Sequence, residues 1–277
     1  MKIAAIVVTY YPDKDLLFKN IEAFADYVDL ILIWRNSPED FDYNGLLNKW
    51  MSKIIFMGTG QNLYMAKPLN IAINYCLEND YNYLLTMDQD SCWEDFSRFV
   101  HLVDLYKECL VAIYAPNVNN YLDGYPFEYK DIEWVIQSGM LLDINVVKDS
   151  GGFREDYGIY GVDEEFCYWL RLHGKKIRSF TNCHLKQKYG NAQKSCFGFW
   201  VYNYSPIVRY FLIRNMIWMK REFKDSTITR RIIHVILQNI RDILLVEDNK
   251  KLKLQKFFQG ISHGLFKSII KRVPANF

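Results

Sequence analysis

Two aspartates one residue apart, Asp88 and Asp90, follow the apolar run 83–87. If that run is a strand, residues two apart share a face, and both carboxylates converge on one point beyond its end. Two like charges that close require a cation or hydrogen-bond donors between them. Oxygen-only ligands suit a hard divalent ion, Mg²⁺ or Mn²⁺, shared with phosphate oxygens. A second acidic group, Asp163, Glu164 and Glu165, opens a helical stretch. Carboxylates there gain from the positive end of the helix dipole, and one of them can take the proton of an attacking hydroxyl. The bland readings are an Asx turn and an ordinary acidic helix start, and the residue types alone leave both open. His184, taken alone, reads as a satisfied histidine. Arg214, on a helix otherwise rich in apolar residues, needs an anion; a diphosphate and an internal salt bridge serve equally. The aromatic segment 197–204 stacks on a sugar or base, or simply packs.

The elements that must position these groups alternate along the first half of the chain. Strands are expected at 3–9, 30–34, 53–57, 83–87 and 110–115, and helices at 14–27, 66–78 and 93–106, from β-rich runs and 3.6-residue periodicity. The first strand is apolar almost throughout, as in a strand covered on both faces. The pattern predicts an α/β domain with a mostly parallel sheet flanked by helices. Ligands of such sheets bind at the carboxyl ends of the strands, where Thr9, Asn36, Asp88 and Asp90 fall. Further on, 134–142 reads as a strand broken at Ser138-Gly139, 151–153 as a turn, 162–172 as a helix and 177–180 as a strand. The stretch 183–204 reads as a long loop, and Pro206 opens a helix to Lys220.

The chain has 277 residues, half of them apolar, with a formal charge of +2. That composition excludes disorder and argues against a nucleic-acid partner. The charge is uneven: from Arg221 onward 12 Lys/Arg face 5 Asp/Glu. The six cysteines form no Cys-x-x-Cys pair. With no export signal visible they read as reduced thiols of a cytoplasmic protein. No apolar run approaches the ~20 residues of a membrane span.

Taken in order, these segments resemble the family 2 glycosyltransferases of GT-A fold, most nearly their rhamnosyltransferase-like branch. The similarity rests on Ile6-Val7-Val8-Thr9-Tyr10-Tyr11-Pro12, on Asn62 through Ala66 to Asn70, and on Leu84-Leu85-Thr86-Met87-Asp88-Gln89-Asp90-Ser91. It continues through Gln137-Ser138-Gly139, Gly151-Gly152-Phe153, residues 160–167 with Arg171 and Gly174, and Tyr210 to Asn215. The resemblance implies a glycosyltransferase domain over 1–220, with a nucleotide half to about 115 and an acceptor half from 116. It implies a nucleotide-sugar donor held by Thr9, Tyr10, Asn36, Asn62, Lys67, Asp88 and Arg214, and a saccharide or lipid-linked saccharide acceptor at Ser138, Gly139 and Glu164. It makes Asp163 the catalytic base, and Asp88, Asp90 and His184 the ligands of Mg²⁺ or Mn²⁺. Two positions depart from the pattern. Arg35 stands where the family usually has an acid that reads the base, and Tyr64 replaces a glycine.

The remainder, 221–277, reads as a basic tail of two amphipathic helices. One apolar stripe is Ile228, Ile232, Ile236, Ile240 and Ile243; the other is Leu254, Phe257, Phe258, Ile261, Leu265 and Ile269. The expectation is peripheral contact with the inner face of the cell membrane, with Phe257, Phe258 and Ile261 inserted. The alternative is packing on the catalytic domain or in a homodimer. Two rival functions share the Asp-x-Asp signal: a phosphatase of the haloacid-dehalogenase type, and a catalytically silent carbohydrate-binding protein on the same fold.

Overall fold

A computed structural model describes residues 1–38, 48–188, 190, 192–270 and 272. Lys271, expected beside the second stripe, lies outside the described residues. Four parallel strands come first: β1 (Ile3–Thr9), β2 (Leu30–Arg35), β3 (Ile54–Met57) and β4 (Tyr83–Asp88), in the order β3-β2-β1-β4. Their residues are apolar on both faces because helices cover them. These are α1 (Lys14–Phe24), α2 (Ala66–Glu78) and α3 (Phe96–Leu105). Asp13 caps α1 by accepting from the Asp15 and Leu16 N–H groups, and Asp95 caps α3 through the Arg98 N–H, satisfying donors that a helix start leaves unpaired.

Beyond β4 the sheet becomes mixed. β5 (Cys92–Trp93), β6 (Val111–Val118), β7 (Tyr129–Asp131), β8 (Met140–Asp143) and β9 (Lys176–Lys186) follow, with α4 (Ile144–Val147) and α5 (Val162–Leu172) between the last two. β8 runs antiparallel to both β4 and β6, and β6 pairs parallel with β9. The mostly parallel expectation therefore describes the first four strands, and antiparallel pairings complete the α/β sheet. Under it lies an aromatic cluster of Phe24, Trp93, Phe96, Phe99 and Phe180, with Trp93 and Phe99 rings 4.7 Å apart. The helix expected at 93–106 starts three residues later because Cys92 and Trp93 pair with β9. The segment read as a strand over 134–142 is extended only from Met140. The expected loop 183–204 holds the end of β9 and a two-stranded hairpin, β10 (Gln193–Lys194) with β11 (Trp200–Val201).

Two motifs of the sequence meet in one lock. Asn70 on α2 donates to the Phe153 carbonyl (2.8 Å) and accepts its N–H (2.7 Å). A Cβ at Gly152, where φ is +68°, would strike the Asn70 amide, so glycine is required there.

The chain forms two compact units. The first contains 1–155 and 163–187; the second contains 156–162 and 188–272. The second therefore begins well before the expected boundary at 220. It holds α6 (Pro206–Phe223), α7 (Ser226–Leu245) and α8 (Lys250–Phe266). Gly260 and Gly264 let α8 close on α6, since a Cβ at Gly260 would lie 2.6 Å from the Tyr210 carbonyl oxygen. Here the set of residues expected to insert into membrane needs correction. Phe257 is fully buried in a core with Leu212, Ile213, Met216 and Ile217, and Ile232, Ile236, Ile240 and Ile261 pack on it. The stripes mostly serve the unit's own core, and of the three residues expected to insert, Phe258 alone is exposed.

Candidate active site

The first unit gathers polar side chains where β1, β2 and β4 end. The Thr9 hydroxyl is buried and donates to the Trp34 carbonyl (3.1 Å). Asn36 is also buried. Its Oδ1 accepts from the Trp34 indole and the Leu63 N–H (both 3.0 Å), and its Nδ2 donates to the Tyr64 carbonyl (2.7 Å). These two residues hold backbone in place. Asn62 accepts the Tyr64 N–H (2.9 Å), and Lys67 stands exposed in the first turn of α2. Tyr64 has φ +59°, the left-handed conformation that favours glycine. Arg35 donates to the Gly58 carbonyl at 3.2 Å.

The loop after β1 is tied to the aspartate pair through the residue between them. Gln89 Oε1 accepts the Tyr10 N–H (2.7 Å), and Gln89 Nε2 donates to the Tyr10 carbonyl (3.1 Å). The Tyr10 ring is left exposed, edge-on to Tyr11 with centroids 4.8 Å apart.

Asp88 ends β4 half-buried. Its Oδ1 accepts from Gln137 Nε2 and its Oδ2 from Gln187 Nε2 (2.9 Å). Ser138 Oγ accepts the Asp88 N–H (3.1 Å) and lies 2.6 Å from Ser91 Oγ. Gly139 turns the chain with φ +88°, and a Cβ there would crowd Leu185 and Pro116. Burial, followed by the Asp90 charge, pushes the Asp88 carboxyl up to about 7; the Gln187 and Gln137 amides oppose the shift, and Asp163 adds to it.

Asp163 lies in the first turn of α5 (Val162–Leu172). Its Oδ1 accepts the Glu164 N–H (2.9 Å) and its Oδ2 the Gln137 N–H (3.3 Å). Burial raises its carboxyl to about 6 against these hydrogen bonds, with the Glu164 charge adding to the rise. Glu164 and Glu165 are buried beside it. Gln137 thus touches both carboxylates: Asp88 through its side chain and Asp163 through its backbone.

The side chains of His184 and Arg214 make other contacts. His184, on β9, faces Asn120 Oδ1 through Nδ1 at 3.0 Å. Among the described residues no three His, Cys, Asp or Glu side chains gather into a metal-holding group, so the Asp88, Asp90 and His184 ligand set is not assembled. Arg214 belongs to the second unit. It donates to the Asp156 carbonyl and, through Nε, to Asn215 Oδ1 (2.8 Å), with its guanidinium 4.1 Å from the Trp218 ring centroid. Asn215 in turn donates to the Tyr157 (2.8 Å) and Tyr160 carbonyls, fixing the segment that precedes Asp163 in the chain. Gln187 is the residue that sequence reasoning missed, because it lies in a stretch without periodicity.

A cation at Asp88 and Asp90 would have to draw most of its ligands from outside the protein. That suits Mg²⁺ or Mn²⁺, which bind through one or two carboxylates and complete their shell with phosphate oxygens and water. The donor set therefore fits such an ion with a diphosphate.

No family model matches the chain. It is 22% identical over 267 residues to the dTDP-rhamnosyl transferase RfbF of Shigella flexneri, covering 90% of this chain and 89% of that protein. Among solved structures it is similar to GalNAc-T7 with UDP, GalNAc and Mn²⁺ (TM-score 0.60, 9% identity), covering 95% of this chain and 56% of that one. It is also similar to the mannosyltransferase PcManGT of Pyrobaculum calidifontis with GDP-Man and Mn²⁺ (TM-score 0.57, 12% identity), covering 97% of this chain and 76% of that one. At these identities the likeness establishes the architecture: the chain has the GT-A glycosyltransferase fold.

Proposed function

We propose that this protein is an inverting glycosyltransferase that moves a sugar, rhamnose or another deoxyhexose, from a nucleoside-diphosphate donor to a hydroxyl of a saccharide or lipid-linked saccharide in surface polysaccharide synthesis. The observation that carries this reading is the pair Asp88 and Asp163, both held by Gln137 at the end of β4, with the Asp90 charge acting on Asp88. Asp90 and Asp88 would hold Mg²⁺ or Mn²⁺ against the diphosphate, and the ion would offset charge on the leaving group. Asp163, raised to about 6, is mostly ionised near neutral pH yet basic enough to accept the acceptor's proton as its oxygen attacks. Tyr10 offers an exposed ring edge beside the aspartates for the nucleotide. The full-length similarity to a dTDP-rhamnosyl transferase supports rhamnose as the first sugar to test. Asp90→Asn is expected to abolish Mn²⁺-dependent binding of nucleoside diphosphates, read by calorimetry, with the fold intact. Unchanged affinity would sink the assignment, and no binding by the wild type at millimolar ligand would favour a silent protein on this fold.

We further propose peripheral contact with anionic membrane through the second unit. No helix among the described residues is long and apolar enough to cross a membrane. Ile233, Leu237, Phe258, Leu265 and Phe266 are nonetheless exposed, amid exposed Arg230, Arg231, Lys250, Lys251 and Lys267. Anionic lipid attracts such cations by about 1 kcal/mol each. Co-sedimentation with phosphatidylglycerol vesicles at low salt is expected, and Leu237→Glu with Phe266→Glu should abolish it. A protein that ignores the vesicles, or a double variant that splits a dimer instead, points to a second copy as the partner.

A further inference from the structure

Both oxygens of Asp88 are held by side-chain amides from different parts of the fold, and the amide on Oδ2 is itself fixed from two directions. The backbone of Gln187 is locked by Asn119. Asn119 Oδ1 accepts the Gln187 N–H and Asn119 Nδ2 donates to the Gln187 carbonyl, each at 2.9 Å. Asn119 can do this because its own backbone is left-handed, with φ +49°, a conformation asparagine tolerates better than most residues. At the far end of the side chain, Ser91 Oγ donates to Gln187 Oε1. That contact decides which way the amide points: its oxygen is spent on Ser91, and its NH₂ faces Asp88. Ser91 also contacts Ser138, which accepts the Asp88 backbone N–H. A closed ring of hydrogen bonds therefore runs from Asp88 through Gln187, Ser91 and Ser138 back to Asp88.

From this geometry we infer that Gln187 is a positioning residue for the donor site: it fixes the orientation of the Asp88 carboxylate so that the remaining lone pairs face the nucleoside diphosphate and its cation. The inference rests on the proposed glycosyltransferase reading. It assigns a role to a residue three positions beyond His184, the position expected to supply a ligand. An amide and a carboxylate in this arrangement make one hydrogen bond with a charged partner. Such a bond contributes enough that its loss weakens the dependent equilibrium by roughly ten- to a hundredfold. It leaves Asp163 untouched, since the partners of that carboxylate are the Glu164 and Gln137 N–H groups.

The test is a double-mutant cycle. Gln187→Met keeps the length of the side chain and removes the donor; Gln187→Glu keeps the shape and faces Asp88 with a second acceptor. Calorimetric Kd for UDP and dTDP with Mn²⁺ is measured for the wild type, for both variants, for Asp88→Asn and for Gln187→Met combined with Asp88→Asn. The expected result is a Kd raised about tenfold or more by Gln187→Met, further by Gln187→Glu, and no additional effect of Gln187→Met once Asp88 is Asn, because residues acting through one contact are not additive. For Gln187→Met and Gln187→Glu, kcat at saturating nucleotide-sugar should change little while KM for the nucleotide-sugar rises. Wild-type affinity in Gln187→Met, or full additivity with Asp88→Asn, overturns the inference while leaving the proposed function standing. Wild-type protein that binds neither nucleotide overturns both. If Gln187→Met unfolds the protein, Ser91→Ala, which frees the amide to flip, must raise Kd in the same non-additive way or the inference fails.

Discussion

Two clusters treat buried charge in opposite ways, one in the second unit and one at the end of β4 in the first, although the first unit also pairs buried Arg178 with Glu108 and Asp131. In the second, Arg209 and Lys253 are both nearly inaccessible and both meet Glu247, with Lys253 Nζ 3.1 Å from its Oε2. Lys253 also reaches Asp248 at 2.9 Å, and Arg209 donates to Asn239. Each cation has an anion, as burial demands. In the first unit burial raises both Asp88 and Asp163; the Asp90 and Asp163 charges add to the rise at Asp88, and the Glu164 charge to that at Asp163. The hydrogen bonds that hold Asp88 and Asp163 come from amides and backbone N–H groups. The lesson is that compensated charge builds the fold, whereas charge left in excess at the end of a strand is kept for something that arrives later.

The sharpest way to break this contrast is to remove one acid from each unit. Asp163→Asn is expected to lower sugar transfer by ~10²–10⁴-fold while donor affinity holds. A fall of less than about tenfold would move the role to another group. The wild-type rate should also drop about tenfold per pH unit below about 6, because a protonated Asp163 accepts nothing. A flat profile between pH 5 and 7 contradicts that. Glu247→Gln should act in the other currency. It leaves two buried cations with too little negative charge and should cost about 3–5 kcal/mol of stability, measured by denaturant melts. Nucleotide affinity of the folded fraction should be unchanged; a variant as stable as wild type but unable to bind nucleotide would reverse the comparison.

A smaller effect tests the excess charge directly. The folded-state pKa of Asp88, about 7, lies above the usual 3.8, so the folded protein holds this proton more tightly than the unfolded chain. Its contribution to stability is then fully present below about pH 4 and is lost as pH rises toward 7. Without metal, the wild type should lose stability relative to Asp88→Asn across that window, and Mn²⁺ with a nucleoside diphosphate should restore it to the wild type alone. Parallel stability curves for the two proteins would show that Asp88 is not destabilised by its surroundings.

Much of this was legible before any coordinates. Local pattern located the first four strands, because apolar runs covered on both faces and helical periodicity are local signals. Asp88 and Asp90 were legible because strand-end position follows from the run 83–87. Asn70 and Gly152 were visible as separate motifs, but their meeting was not, since it is a contact across 82 positions of chain. Gln187 was illegible for the same reason: its partners Ser91, Asp88 and Asn119 are remote in sequence, and a glutamine in an aperiodic stretch carries no mark of its own. The stripes of the tail were read correctly as helices, and of the two coverings weighed for them, membrane or packing within the protein, most of their residues have the second. Amphipathicity says that one face is covered, and what covers it is a tertiary fact.

The smallest expected effect concerns Tyr64, where the chain departs from the glycine of the family it resembles. The position is left-handed, φ +59°, which costs a residue with a Cβ about 1–2 kcal/mol. The loop keeps that conformation because Asn62 accepts the Tyr64 N–H and Asn36 donates to its carbonyl. Both hydrogen bonds use backbone atoms and survive replacement of the side chain. Tyr64→Gly therefore relieves the backbone strain and gives back part of the gain as unfolded-state entropy, roughly 0.5–1 kcal/mol, together with whatever the half-buried ring contributes by packing. The net change in stability should be an increase of no more than about 1 kcal/mol, visible as a small rise in the denaturant midpoint. Donor affinity separates two reasons for the tyrosine. If the ring crowds the loop next to the nucleotide, Tyr64→Gly binds nucleoside diphosphate more tightly; if the ring is itself a contact for the base, affinity falls while stability rises. A marked loss of stability would show that the ring's packing outweighs the strain, and that the departure from glycine at this position is structural.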